Sequence, residues 1–242
     1  DYLKRDSFYT GVAEGNISSE RLIVMMTVAN DELVIEHKGI YSVENFLIAR
    51  RLMYWQVYLH KTGVLAESML VNVLQRAKEL VLQNIEVPAT KALRYFLHHQ
   101  ITEENFTEET LQVFSTLDDY DMLSAIKEWV EHSDTVLSKL SRMIIHRNLL
   151  KIELQNKPFS DSEIRVHRNK LSGQLKIDED LMRYFVFSGK ISNKAYDSEK
   201  PIKILYNSGK TEDIVQASDQ LNLQALTKPV EKYYRCYPKK ML

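Results

Sequence analysis

The sequence has 242 residues, of which 44% are hydrophobic and 27% are charged, and its net charge is −1. This composition is typical of globular proteins and excludes the disordered and fibrous classes. The lone cysteine, Cys236, excludes an internal disulfide and a cysteine-based zinc motif. No apolar run approaches the roughly 18 residues of a spanning helix, so we expect no membrane partner. The use of a single cysteine makes a reducing, cytoplasmic setting the expectation. The balanced charge gives no indication of nucleic-acid binding.

Helical periodicity dominates the first two thirds of the chain. Apolar residues recur at spacings of three and four through residues 1–157, which predicts a helical body. We expect Ser42 to cap a helix that runs through Val57, and Gly63 to kink or end it. The next helix is predicted over about residues 67–83.

Three polar or proline positions mark the starts of later helices. Pro88 is expected to open a helix at its first position. Asp119 and Asp134 are expected to cap two more, because an aspartate side chain can accept hydrogen bonds from free amides at a helix start. The helical body therefore continues to about residue 148.

The pattern changes to alternation beyond that point. Apolar and polar residues alternate over residues 150–155, which predicts a strand with one buried face. Ser160 and Glu163 form the spacing of a capping box for a helix to about Ser172.

The rest of the chain mixes short strands with one helix. Segments rich in β-branched and aromatic residues predict strands over 184–188, 202–206 and 230–237. A turn is expected at 207–210 and a helix over 218–226. The predicted fold class is mainly α, with a helical domain over residues 1–155 and a small α+β lobe over residues 156–242.

Two segments carry side chains suited to binding. On a helix, Tyr2 and Asp6 share a face, and a ring beside a carboxylate can hold a sugar through its apolar face and a hydroxyl. A charged helix with a local ion pair explains the same residues.

The second segment lies near residues 50–61. On a helix, Arg50, Tyr54, Val57 and Lys61 form one stripe with Tyr58 at its edge. Two cations and two phenols on one face suit a phosphorylated, ring-bearing ligand. An amphipathic core helix with basic side chains reaching solvent is the alternative.

Metal-ligand spacing is missing from the sequence. It has no His-Asp dipeptide, no His-x-x-x-His pair and no phosphate-binding glycine loop. The aspartates at 118, 119 and 121 lie where a helix cap is expected. No metal ligands can therefore be assigned.

The two binding segments resemble a known family. Residues 1–7 (Asp-Tyr-Leu-Lys-Arg-Asp-Ser) with 10–12 (Thr-Gly-Val) resemble the segment after the last metal-binding aspartate of HD-domain phosphohydrolases. The deoxynucleoside triphosphate triphosphohydrolases are the closest branch, and residues 50–61 resemble its next substrate-binding helix. Residues 117–119 and 147–151 resemble its later helices. The resemblance covers residues 1–155 and implies a helical HD-type body.

This resemblance implies a reaction and four substrate contacts. The reaction is hydrolysis of dNTPs to deoxynucleoside and triphosphate, with a divalent metal (Mn, Mg, Co or Fe) whose ligands are expected upstream of this chain. The resemblance implies that Tyr2 packs on the deoxyribose and that Asp6 accepts a hydrogen bond from its 3′-hydroxyl. It further implies that Arg50 contacts the phosphates and that Tyr58 flanks the sugar or base.

Two more positions match the family in some members only. His60 and Lys61 match residues near a second, regulatory nucleotide. Leu59 departs from the polar residue of the mammalian member, which removes a possible hydrogen bond to the substrate.

The missing metal ligands leave other functions open. The chain could be a non-catalytic nucleotide-sensing or oligomerisation module, or an unrelated helical interaction protein. A body without the metal-bearing helices would expose apolar surface, to be covered by an upstream segment, a partner chain or a homo-oligomer. We expect a homo-oligomer with a deoxynucleotide as its substrate.

Overall fold

The computed structural model describes residues 1–219 and 223–239, and the fold is mainly α-helical with a small α+β part, as predicted. The chain forms two compact units. The first contains Asp1–His60 and Lys190–Lys232, and the second contains Lys61–Gly189 and the residues from Tyr233 on. The predicted boundary between residues 155 and 156 falls inside the second unit.

The elements are numbered along the chain. The helices are α1 (Tyr2–Thr10), α2 (Ser19–Val24), α3 (Ile40–Met53), α4 (Lys61–Leu82), α5 (Lys91–His98), α6 (Glu108–Thr116), α7 (Asp119–Trp129), α8 (Thr135–Ile145), α9 (Asp161–Leu175) and α10 (Ile214–Ala217). The strands are β1 (Met26–Ala29), β2 (Glu32–Glu36), β3 (Lys151–Gln155), β4 (Phe187–Asn193), β5 (Lys203–Leu205), β6 (Thr211–Asp213) and β7 (Val230–Tyr237). Across the described residues, no helix has both the length and the apolar character needed to cross a bilayer.

A four-stranded sheet in the order β1-β2-β5-β6 belongs to the first unit. β1 and β2 form an antiparallel hairpin, β2 and β5 are parallel, and β5 and β6 are antiparallel. The hairpin turns at Asn30 and Asp31, which both have positive φ (53° and 62°). Asn and Asp tolerate this backbone region, which two-residue hairpin turns require. This hairpin was not predicted, because its turn lacks the glycine that usually marks a two-residue hairpin turn.

α3 packs on this sheet and begins earlier than predicted. Ile35, Val43, Leu47 and Ile204 share one buried apolar cluster. A short 3-10 turn runs directly into α3, which starts at Ile40. The prediction that Ser42 caps the helix is therefore wrong, since that residue already lies within the first turn.

α4 is the central helix of the second unit, and its buried face includes Met69, Val73 and Ala77. It begins at Lys61 and continues through Gly63, so the expected kink or helix end at that glycine is wrong. A Cβ at Gly63 would meet nothing within 4 Å, so the helix has open space at this position.

The start of α5 also differs from the prediction. The Trp129 indole N–H donates to the carbonyl oxygen of Pro88 at 2.7 Å, which holds the proline outside the helix. Thr90 caps α5 instead, because its hydroxyl accepts from the Leu93 amide.

Aspartates cap both later helices of the core. Asp134 caps α8, as predicted, by accepting from the Leu137 amide at 2.8 Å. It also accepts two hydrogen bonds from Arg76, a residue only 7% exposed, at 3.1 and 2.7 Å. α7 is capped by Asp118 rather than by Asp119, because the latter is already the first helical residue.

The C-terminal strands follow the prediction in part. β3 and β7 form the predicted strands and pair antiparallel, and the capping box of Ser160 and Glu163 opens α9. β4 begins at Phe187 instead of residue 184, because a 3-10 turn extends through Tyr184. The predicted helix over 218–226 is confirmed only in part, because α10 ends at Ala217 and a 3-10 turn covers Leu223–Leu226. Residues 220–222 lie outside the described residues.

Gly15 lies where three chain segments come very close together. A Cβ there would be 2.7 Å from the Leu3 carbonyl oxygen, 2.7 Å from the Ser7 Cβ and 2.9 Å from the Met53 Sδ. Real Cβ atoms do not approach a backbone oxygen so closely. Only glycine therefore lets α1 lie this near to the end of α3.

We expect Gly15→Ala to lower the free energy of unfolding by about 1–3 kcal/mol, the usual cost of forcing extra atoms into a packed site. Gly63→Ala is the matched control. It should be neutral or stabilise by about 0.5–1 kcal/mol, because alanine is favoured in helices and space is open there. Urea unfolding of both variants measures the difference, and equal effects would contradict the packing role of Gly15.

Glu153 should make the second unit acid-sensitive. Arg235 donates to its carboxylate at 2.8 Å, and Tyr237 donates to the other oxygen. These bonds lower the pKa of Glu153 from the ordinary 4.5 to about 2. Their stabilisation is therefore complete above about pH 4.5 and is lost as the pH falls towards 2.

Glu153→Gln should therefore reduce the drop in melting temperature between about pH 5 and about pH 3. Glu67→Gln, on the exposed face of α4, is the control and should keep the drop of the unmodified protein. The same drop in all three proteins would show that Glu153 does not contribute to acid sensitivity.

Candidate functional site

α1 presents Tyr2 and Asp6 one turn apart, as the sequence predicts. The Asp6 carboxylate accepts one hydrogen bond from Arg5 Nε and one from the Tyr58 hydroxyl, both at 2.7 Å. The guanidinium of Arg5 also lies 4.8 Å from the Tyr2 ring centre, within the range of a cation–π contact. α1 is thus linked by its acidic side chain to the segment after α3.

The segment after α3 is a π-helical turn over Tyr54–Tyr58. The Leu59 amide donates to the Tyr54 carbonyl at 2.7 Å, a bond that spans five residues instead of four. Turns of this kind are rare and are often found at functional sites. The ring of Tyr54 lies 5.2 Å from the Arg50 guanidinium and meets the Tyr58 ring edge-on at 5.2 Å.

These side chains enclose a cavity of about 550 Å³, a volume typical of small-molecule sites. It brings together all four substrate-binding residues that were predicted: Tyr2, Asp6, Arg50 and Tyr58. Further lining residues include Leu3, Arg5, Ile17, Phe46 and Tyr54. The cavity therefore combines aromatic and aliphatic walls with charged groups of both signs.

The protonation of the acidic end of the cavity follows from its contacts. The hydrogen bond from Arg5 is the main cause that lowers the pKa of Asp6, followed by the one from Tyr58. Burial, and then the bond to Asp6, raise the pKa of Tyr58 to about 12. Near neutral pH Asp6 is therefore an anionic acceptor and Tyr58 a neutral donor.

Arg50 is held in a different way. Its Nη1 donates to the carbonyl oxygen of Ala195, a neutral partner. Within residues 1–219 and 223–239, no carboxylate forms an ion pair with Arg50, whereas Arg5 is paired with Asp6. The Arg50 charge is thus uncompensated by an acidic side chain and suits an anionic group of a ligand.

His60 and Lys61 are not part of this cavity. His60 follows the π-helical turn, and Lys61 begins α4 in the second unit. The stripe predicted from Arg50 to Lys61 on one continuous helix is therefore wrong, because α3 ends at Met53. The regulatory role implied for His60 and Lys61 stays a prediction.

The cavity also contains residues that the sequence did not identify as substrate contacts. Tyr54 was predicted only as part of the ligand-binding stripe, and Arg5 and Phe46 were given no binding role. The sequence does contain an indication for Phe46 and Tyr54, because positions 46, 50, 54 and 58 recur at four-residue spacing. For Arg5, the only indication is that it directly precedes Asp6 in the sequence. Leu3 and Ile17 carry no signal, since apolar residues of this kind are found in every core.

The described residues do not fit a metal centre. No three of their His, Cys, Asp or Glu side chains gather closely enough to hold a metal ion. The cavity itself offers an anionic acceptor in Asp6 and a cationic donor in Arg50.

The chain is similar to a protein-family model and to several known proteins. Residues 17–96 match the model of the HD associated region. A phosphohydrolase from Bacteroides thetaiotaomicron is 49% identical and has a TM-score of 0.90 over 99% of this chain and 60% of its own. A hypothetical protein from Aquifex aeolicus shares the fold at 21% identity and a TM-score of 0.58.

The uncharacterized protein YwfO of Bacillus subtilis is 31% identical over 83% of this chain. The match covers 44% of that relative, so the chain spans less than two thirds of either the Bacillus or the Bacteroides protein. Residues 17–96 are therefore similar to the HD associated region, and the chain as a whole is similar to a protein named as a phosphohydrolase.

Proposed function

We propose that this chain forms the nucleotide-contacting part of an HD-type phosphohydrolase that converts dNTPs to deoxynucleoside and triphosphate. The observation that carries the proposal is the presence of Tyr2, Asp6, Arg50 and Tyr58 around one cavity. The 49% identity to a phosphohydrolase supports the reaction class.

The sugar is assigned to the end of the cavity with Tyr2 and Asp6. The Tyr2 ring is 72% exposed and offers a flat apolar surface for a deoxyribose. Each oxygen of Asp6 accepts one protein hydrogen bond and keeps a free lone pair. The 3′-hydroxyl would donate to one of these oxygens, while Tyr58 borders the sugar or base.

The phosphates are assigned to Arg50. Its guanidinium is planar and carries five N–H donors, so the bond to Ala195 leaves others for phosphate oxygens. The ring of Tyr54 lies 5.2 Å from the guanidinium and limits its movement. Arg50 would therefore orient the phosphate chain as well as bind it.

A divalent metal, Mn, Mg, Co or Fe, belongs to the proposal. Since the described residues offer no cluster that fits one, its ligands would come from outside this chain. The roles assigned to this chain are substrate binding and orientation only.

A second candidate is a nucleotide-sensing module that binds dNTPs without turnover. It is favoured by a cavity lined by the four residues that the resemblance assigns to the sugar and phosphates, in described residues that offer no cluster for a metal. Binding without release of triphosphate by the full-length gene product would favour this second function.

Arg50→Ala should lower kcat/KM for triphosphate release by about 30- to 900-fold, equivalent to about 2–4 kcal/mol of transition-state stabilisation. The measurement uses the full-length gene product with a dNTP and Mn²⁺. Arg51→Ala is the control, because Arg51 contacts the Ala225 carbonyl and does not line the cavity. Equal effects of the two substitutions would remove Arg50 from the site.

Asp6 should be responsible for recognition of the 3′-hydroxyl. We expect the 242-residue chain to bind a dNTP about tenfold more tightly than the matching dideoxynucleotide, because a hydrogen bond to a charged acceptor is lost. Asp6→Ala should reduce this ratio to about one. Because both affinities are measured in the same variant, a general loss of folded protein does not change their ratio. An unchanged ratio in Asp6→Ala would contradict the assignment of the 3′-hydroxyl to Asp6.

A further inference from the structure

A second cavity of about 470 Å³, the α8 groove, lies along one face of α8 in the second unit. The α8 residues that line it are Thr135, Ser138, Lys139, Arg142 and Met143, and His146 follows at the helix end. Their spacing of three and four places them on one face. The lining therefore follows α8 over most of its length.

The groove is cationic. Lys139 and Arg142 line it, and no aspartate or glutamate does. Arg142 pairs with Glu131 at 3.0 Å, but both side chains are more than half exposed, and such surface pairs are weak. In the described part of the chain Lys139 forms no ion pair with a carboxylate. The charge of the groove is therefore available to an anion.

Neutral donors surround these cations. Ser133, Thr135 and Asn148 line the groove with two hydroxyls and an amide. The hydroxyl of Ser138 is unavailable as a donor, because it already donates to the Val130 carbonyl at 2.6 Å. The mixture of cations with hydroxyl and amide donors is the set that phosphate oxygens accept from.

His132 forms one wall of the groove. Its Nδ1 accepts from the Asp134 amide at 2.9 Å. Its Nε2 lies 3.0 Å from the Glu86 carbonyl. These two contacts hold the ring in a fixed orientation at one end of the groove.

We propose that the α8 groove binds a phosphoanion of oligophosphate size, either free or as the phosphate chain of a nucleotide. An anion with several charges matches a groove with two cations, uncharged donors and no acidic wall. The volume of the groove lies within the range of small-molecule sites. The inference concerns the second unit and does not depend on the function proposed for the cavity of Arg50.

The test is calorimetric titration of the 242-residue chain with inorganic tripolyphosphate, without added metal. Lys139→Gln should weaken binding at least about tenfold, because a charge-assisted contact is lost. Lys139→Arg should retain binding within a few-fold, which separates loss of charge from loss of folding. Lys127→Gln, on α7 outside the groove, should bind like the unmodified chain.

Two further comparisons identify the kind of phosphate ligand and the cavity that binds it. Equal affinity for tripolyphosphate and a nucleoside triphosphate would support recognition of the phosphate chain, and tighter nucleotide binding would support a nucleotide ligand in the groove. In both cases the affinity must fall with Lys139→Gln and persist in Arg50→Ala. Binding that is lost only in Arg50→Ala, or that is absent up to about 10 mM of either probe, would overturn the proposal. The first of these outcomes would leave the proposed function intact.

Discussion

The close packing at Gly15 is the constraint on which the candidate site depends. Because no side chain stands between them, α1 and the end of α3 approach within contact distance. α1 carries Tyr2 and Asp6, α3 carries Arg50, and the π-helical turn after α3 carries Tyr58. The absence of a Cβ at Gly15 therefore lets two segments about 50 residues apart lie close together, and their side chains line the cavity.

Within the first unit, the two ends of the cavity differ in how their charges are balanced. The carboxylate of Asp6 is shared between Arg5 and Tyr58, which fixes its position while leaving it anionic. The guanidinium of Arg50 is held by a backbone carbonyl and a ring, which fix its position and leave its charge unneutralised. The proposed recognition of a hydroxyl at one end and of a phosphate at the other depends on this asymmetry. An ion pair between Asp6 and Arg50 would occupy both groups and leave neither for a ligand.

The parts of the site that depend on local spacing could be predicted from the sequence. Tyr2 and Asp6 are four apart on a helix, and the side chains of Arg50 and Tyr54 meet for the same reason. The π-helical turn could not be predicted, because a hydrogen bond spanning five residues leaves the apolar periodicity almost unchanged. The start of α3 depends on the position of the preceding 3-10 turn. The cap of α5 depends on the tertiary hydrogen bond from Trp129 to the Pro88 carbonyl. Both are set by packing that no short window of sequence contains.

The π-helical turn over Tyr54–Tyr58 has a consequence for comparing this chain with its relatives. Such a turn holds one residue more than an α-helical turn, so deleting a single residue there would restore regular α-helix. Because the turn holds the extra residue locally, the residues after it would face as before, each one position earlier in the sequence. Homologous chains that differ by one residue between positions 50 and 61 should therefore be aligned with the gap inside this turn. In such chains the partner of the acidic residue on α1 should be sought at a different position in the sequence.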